Sequence, residues 1–332
     1  MFYWLNQSVR AVKKLTDPWN TQSLPVRSPI DAIATKATFF TTDGVELYYE
    51  DTANCGFPLI FLYGLGCSIF HWKHQMRHLA DQRLSNGDKT FRVIWLDLRG
   101  HGLSEPWRPG LDLSFVRLSQ DVRELCQHLR IQSAVFLGQS MGGTIALTLA
   151  AMDQTLPKGV IIQGSPVKGV TQTMAGGIAT RTLLRSWFQL NHSFPGVIRL
   201  AFRLLDRHLR APFQECIRFS GFNPKLARQE DIAEYVDHLL RADPNVFLRL
   251  AELLEEFEFD PLAKHIACPV LILAGVDDTL VSLKQNERLA SSLGQADIAV
   301  IPHGSHCPHL DDPELVCTII DKFLSRIIPR KA

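Results

Sequence analysis

The spacing of hydrophobic positions changes repeatedly along the chain. From Thr38 onward, apolar or β-branched runs fall at residues 59–62, 91–97, 134–137, 159–162, 270–274 and 298–301, each about as long as a strand. Most show no in/out alternation. A strand that is apolar on both sides is covered on both faces, so these runs predict a parallel sheet between layers of helix. Two shorter strands are expected at 38–40 and 45–50, joined at the turn signal Asp43-Gly44. Between the runs, apolar residues recur at helical spacing over 71–82, 114–129, 141–152, 283–293 and 312–328. This alternation predicts an α/β protein with a mostly parallel, doubly wound sheet and right-handed crossovers.

One interval breaks the rhythm. Residues 165–268 hold no good strand, only helical periodicity punctuated at Pro195-Gly196, Pro212, Pro224 and Pro244. A helical insertion before the last two strands is expected to cap the carboxyl ends of the strands, where such sheets bind ligands. The expected organisation is an N-terminal extension over 1–36, a core over 37–164 and 269–332, and the cap over 165–268.

Composition narrows the classes. Of the 332 residues, 46% are hydrophobic and 21% charged, which is the profile of a folded globular chain. With 35 Lys and Arg against 34 Asp and Glu, there is no excess charge for coating nucleic acid. No apolar run approaches the ~18 residues of a bilayer span, and the longest, 58–70, is broken by Gly64 and Gly66. The apolar start at residues 1–5 is too short for a secretory segment and lacks its flanking signals, so no signal peptide is expected. Seven cysteines without paired spacing read as reduced thiols of a cytoplasmic protein.

The sharpest motif is Gly138-Gln139-Ser140-Met141-Gly142-Gly143, which follows an apolar strand and opens a helix. Gly-x-Ser-x-Gly in that setting makes a tight strand-to-helix turn that lifts Ser140 into the crevice. A serine hydroxyl needs a base to take its proton and a carboxylate to orient that base. The loop after 270–274, Gly275-Val276-Asp277-Asp278, supplies acids; the loop after 298–301 supplies His303, His306 and His309. The loop after 159–162, Gln163-Gly164-Ser165-Pro166, offers no acid. Two oxyanion donors are expected: the N–H of Met141, just after the serine, and that of Leu65 in the turn Tyr63-Gly64-Leu65-Gly66.

These pieces, with Asp97-Leu98-Arg99-Gly100-His101-Gly102 between them, resemble the α/β-hydrolase superfamily from about Thr38 to the C-terminus. The resemblance implies a catalytic triad of Ser140, Asp278 and His306, with Asp277, His303 and His309 flanking. It also implies that Tyr63 stands where the family usually has a histidine. The activity implied is that of a serine hydrolase acting on a carboxylic ester with an apolar or aromatic acyl part, through an acyl-enzyme and without a cofactor. Its partner is then a small apolar ester. Lactone, thioester and carbon–carbon cleavage, or acyl transfer, use the same triad in similar proteins, and some members of the fold are non-catalytic receptors. Dehalogenases and epoxide hydrolases carry Asp at the position of Ser140 and are disfavoured.

Other candidates carry less. His71, His74 and His78 share a helical face, but no nearby carboxylate or thiolate completes a metal site. Cys67 and Cys307 are expected to pack near the site. In the cap, Arg199, Arg203, Arg207 and Arg210 fall on one side of a helical stretch, with Ile198, Leu204, Leu205 and Leu209 available to the other. A second apolar stripe, Phe2, Leu5, Val9 and Val12, lies beside Arg10, Lys13 and Lys14. Both patterns suit weak peripheral contact with a membrane.

Overall fold

The computed structural model describes residues 28–328, apart from 31, 86, 109, 167 and 170–176. The stripe from Phe2 to Val12 lies outside the described residues. Eight strands form one sheet: β1 (Thr35–Phe40), β2 (Glu46–Asp51), β3 (Phe57–Leu62), β4 (Phe91–Leu96), β5 (Ala134–Gln139), β6 (Pro157–Gln163), β7 (Val270–Gly275) and β8 (Ala296–Ile301). Their order is β1-β2-β4-β3-β5-β6-β7-β8. The pairs β1–β2 and β2–β4 are antiparallel; the rest are parallel. The first strand begins at Thr35, three residues before the hydrophobic run that signals it, because Thr35, Lys36 and Ala37 pair with Asp51, Glu50 and Tyr49 of β2.

The core helices are α1 (Lys73–Asp81), α2 (Phe115–His128), α3 (Met141–Met152), α10 (Leu283–Ser292), α11 (Pro308–Asp311) and α12 (Pro313–Ile327), and a short 3-10 turn, Ile69–Trp72, precedes α1. Every residue of β5 is buried, as is every residue of α3 from Met141 to Ala150. Each fully buried Leu or Ile there contributes roughly 1.5–3 kcal/mol. The chain leaves β3 for β4 on one side and returns to β5 on the other. This switch opens a crevice at the carboxyl ends of β3 and β5.

The loop after β4 is held by a buried ion cluster. Arg99, fully buried, donates twice to Asp121 of α2 at 2.6 Å and twice to Asp43 of the β1–β2 turn at 2.9 and 3.1 Å. Removing one partner of such a cluster costs about 3–5 kcal/mol, because a charge is stranded. Arg99 and the neighbouring Asp97 therefore build the scaffold.

Among the described residues between β6 and β7, the elements are all helices: α4 (Gly177–Ser193), α5 (Pro195–His208), α6 (Arg210–Gly221), α7 (Gln229–Arg241), α8 (Pro244–Glu256) and α9 (Asp260–Ala263). Pro195 and Pro244 stand at helix starts, where the missing N–H costs nothing, and the Asp243 side chain caps α8 by accepting from Asn245 N–H at 2.9 Å. Pro212 sits in the first turn of α6, where it is tolerated for the same reason. Helix α7 is pinned to the core by Lys73, whose ammonium lies 2.5 Å from Asp231 and 2.9 Å from Glu234.

Candidate active site

At the β5–α3 junction the backbone of Ser140 is forced to φ +50° and ψ −117°, a conformation strained for any residue with a side chain. Two bonds hold it there: Ser140 N–H donates to the Gln163 carbonyl at 2.8 Å, and the Ser140 carbonyl accepts from Gly143 N–H at 2.9 Å. The turn closes only because Gly142 has no side chain, since a Cβ there would strike the Leu62 carbonyl. Ser140 is half-exposed between buried Gln139 and Met141, as a nucleophile elbow requires.

The candidate acid and base come from the ends of β7 and β8. Of the two aspartates after β7, Asp278 turns inward and Asp277 outward. Both Asp278 oxygens face His306 Nδ1, at 3.1 and 3.3 Å, and Oδ1 also accepts from Leu280 N–H at 2.8 Å and Val281 N–H at 2.9 Å. Burial pushes the Asp278 carboxyl up, but the His306 charge and hydrogen bond and these amides outweigh it, so its pKa falls below the ordinary carboxylate value. A carboxylate facing Nδ1 fixes the tautomer that leaves Nε2 as the basic nitrogen. Asp277 instead lies at the surface, 3.7 Å from exposed His303. His309 is fully buried and faces Gln163.

The imidazole of His306 rests on Gly164, which follows the β6 residue that bonds Ser140. A Cβ on Gly164 would sit 2.8 Å from both Cε1 and Nδ1 of the ring. Ser140, Asp278 and His306 thus converge on one sheet edge, from residues far apart in the chain.

The turn after β3 passes directly over the elbow, where a Cβ on Gly64 would lie 3.3 Å from Ser140 Cβ. Leu65 is half-buried beside it, and Gly66 lies against Leu239 of α7 and Phe247 of α8. Met141 is the first residue of α3, whose N–H has no acceptor within the helix. Tyr63 supports the turn by a route the sequence did not reveal. Its buried hydroxyl accepts from Leu98 N–H at 2.8 Å, and its ring packs on Trp95 and His101 at centroid distances of 5.9 and 5.8 Å.

Two further groups of residues escaped sequence reasoning. The first is a lock on the acid and base loops. Asp311 accepts from Ser305 N–H at 2.7 Å and Asn223 N–H at 3.0 Å, while Asn223 Nδ2 donates to the His303 carbonyl at 2.7 Å. Thr279 Oγ1 donates to the Ser220 carbonyl at 2.8 Å, so the end of α6 and the α6–α7 connection brace both loops. The second is a buried polar layer beside the elbow, containing Gln139, Gln163, His71 and His309. Burial holds the His71 imidazole down at about 3, helped by the charges of His306 and His238, and burial holds His309 well below its ordinary value. Both are neutral at physiological pH.

The three histidines at metal-like spacing go separate ways. His71 enters this layer, His74 lies 3.4 Å from Asp231, and His78 lies 2.8 Å from Asp321. Cys67 and Cys307 are buried, and burial raises both thiols far above the ordinary range, so neither is a nucleophile at neutral pH.

A family model described as the alpha/beta hydrolase fold matches residues 58–313, and the chain belongs to that family. The membership supports hydrolase activity. The chain is 24% identical over 290 residues to 3-oxoadipate enol-lactonase 2 of Acinetobacter baylyi, covering 86% of this chain and 96% of that protein. Among solved structures, a thermophilic esterase from Thermogutta terrifontis superposes with a TM-score of 0.65 at 25% identity, covering 89% of this chain and 98% of the esterase. An esterase from Exiguobacterium antarcticum shares the fold with a TM-score of 0.70 at 20% identity, over 88% of this chain and all of that one. Among the described residues, no helix is long and apolar enough to cross a membrane.

Proposed function

We propose that the protein is a serine hydrolase of carboxylic esters with an apolar or aromatic acyl part. The observation that carries the reading is the Asp278–His306 pair, with Nδ1 facing the carboxylate, at the same sheet edge as the strained Ser140. Ser140 Oγ attacks the ester carbonyl while its proton passes to His306 Nε2. The carbonyl π pair moves to oxygen, and the N–H groups of Leu65 and Met141 bind the resulting oxyanion. One such donor is worth about 2.7–4 kcal/mol in acyl transfer. Collapse expels the alkoxide, which takes the proton from His306. Water then attacks the acyl-enzyme, with His306 again accepting a proton, and the acid leaves as Ser140 regains its hydrogen. Asp278 keeps the ring in the required tautomer and stabilises its charged form. Leu239 and Phe247, beside the turn that carries Leu65, support an apolar acyl site.

Hydrolysis of a p-nitrophenyl ester series of rising chain length tests this reading. We expect preference for short to medium acyl chains and loss of several orders of magnitude in kcat with Ser140→Ala. Activity surviving that substitution contradicts the assignment, and a steep rise toward long, emulsified chains marks a lipase instead.

A further inference from the structure

The outer surface of the cap is apolar and basic at once. Among the described residues, 15 large hydrophobic side chains are exposed, and seven of them fall within residues 183–219, a concentration that single surface hydrophobes do not explain. The same segment carries six arginines and two acids, a net charge of +4 where the whole chain has +1.

Helix α5 shows how the two properties combine. At 100° per residue, Ile198 and Leu205 point to one side, where Ile198 is fully buried and Leu205 half-buried. Val197, Leu200 and Leu204 fall within about 60° of one another on a different side and are 50%, 55% and 49% exposed. Phe194, at the N-cap, extends this outer stripe at 60% exposure. Leu204 therefore does not share the covered face with Ile198, as one stripe would require, and Leu209, past the end of the helix, is exposed as well. Arg207 is exposed at the edge of this stripe. Arg199 and Arg210 are instead drawn to acids of the protein: Arg199 lies 2.8 Å from Asp243, and Arg210 pairs with Asp206 and Asp237. Asp206, the only acid of α5, is thus turned toward Arg210 and away from the stripe.

We propose that the outer face of α5 seats the protein on an anionic lipid surface, with Phe194, Val197, Leu200 and Leu204 entering the interface and Arg207 meeting the headgroups. A row of exposed apolar side chains edged by arginine is the composition of an interfacial helix. Charge selects lipid over a second copy of this chain. A two-fold contact through the same face would set the arginines of both copies against each other, whereas anionic headgroups neutralise them.

Flotation of the full-length protein with vesicles of phosphatidylcholine, alone or mixed with phosphatidylglycerol, tests the proposal. We expect flotation with the mixed vesicles that weakens as salt rises. Leu200→Glu/Leu204→Glu should lower partitioning about tenfold or more while leaving hydrolysis of a soluble ester unchanged. Arg207→Gln, which leaves the stripe intact, should weaken binding to the mixed vesicles only. No flotation of the unaltered protein overturns the proposal, as does equal flotation of the double variant. A dimer in sedimentation that the double variant dissociates, without flotation of either protein, assigns the face to self-association and also overturns it.

Discussion

The imidazole of His306 lies directly on the α-carbon of Gly164, so close that a methyl group there would come within 2.8 Å of Nδ1. Gly164 also has φ +54°, in the left-handed region that favours glycine. Gly164→Ala should therefore push the ring off Asp278 while leaving the identity of every proposed catalytic residue unchanged. A displacement of this kind costs roughly 10²-fold in rate. We expect a fall of that order in kcat, accompanied by loss of the low-field Nδ1 proton resonance of His306. An unchanged rate would show that the ring position is not set by this contact.

Asp278→Asn keeps the shape of the acid but presents an amide to Nδ1. The ring then takes the wrong tautomer, and a loss of about 10⁴-fold in kcat is expected, as in a serine protease altered in this way. Asp277→Asn, at the surface beside His303, should leave kcat within a factor of about two. Equal losses from both substitutions would contradict the assignment of the acid to the inward side chain.

Tyr63→Phe removes the acceptor for Leu98 N–H and leaves that buried donor unpaired, which costs about 1–3 kcal/mol. Urea unfolding should show this as a lower midpoint with an unchanged slope. Stability equal to that of the unaltered protein would mean that Leu98 finds another acceptor and that Tyr63 supports the turn by packing alone.

Asp97 gives a pH signature. Burial raises its carboxyl from 3.8 to about 8, with the Glu50 charge adding to the rise and the Leu103 amide opposing it. Between those values the folded protein keeps a proton that the unfolded chain has released. Stability contributed by this group therefore falls as pH rises from about 4 to about 8, and is level above. Asp97→Asn, whose amide oxygen can still accept from Leu103, should flatten that part of the profile. Unfolding free energies at about pH 5 and about pH 8 decide it. The same difference in both proteins would place the proton elsewhere.

Sheet strands and core helices were legible because buried parallel strands and their helices differ in period and length. The elbow was legible because one strand, one turn and one helix are contiguous in sequence. What could not be read joins residues distant in the chain. Arg99 meets Asp43 and Asp121 across 56 and 22 positions, and the ring of His71 meets that of His309 at a centroid distance of 5.4 Å. Sequence spacing alone made His71, His74 and His78 look like one cluster, although burial and two different aspartates separate them. The faces of α5 were ambiguous for another reason. A helix with apolar residues on more than one side has no unique inner stripe, so only its neighbours decide which leucines are covered.

The central claim is that Ser140 is the nucleophile, activated by His306. Mass spectrometry of the protein after treatment with a fluorophosphonate tests it most directly, because only an activated serine is phosphonylated efficiently. The account predicts one adduct, located on the peptide containing Ser140, absent in Ser140→Ala and strongly slowed in His306→Ala. No adduct, or one that persists in Ser140→Ala, would contradict it.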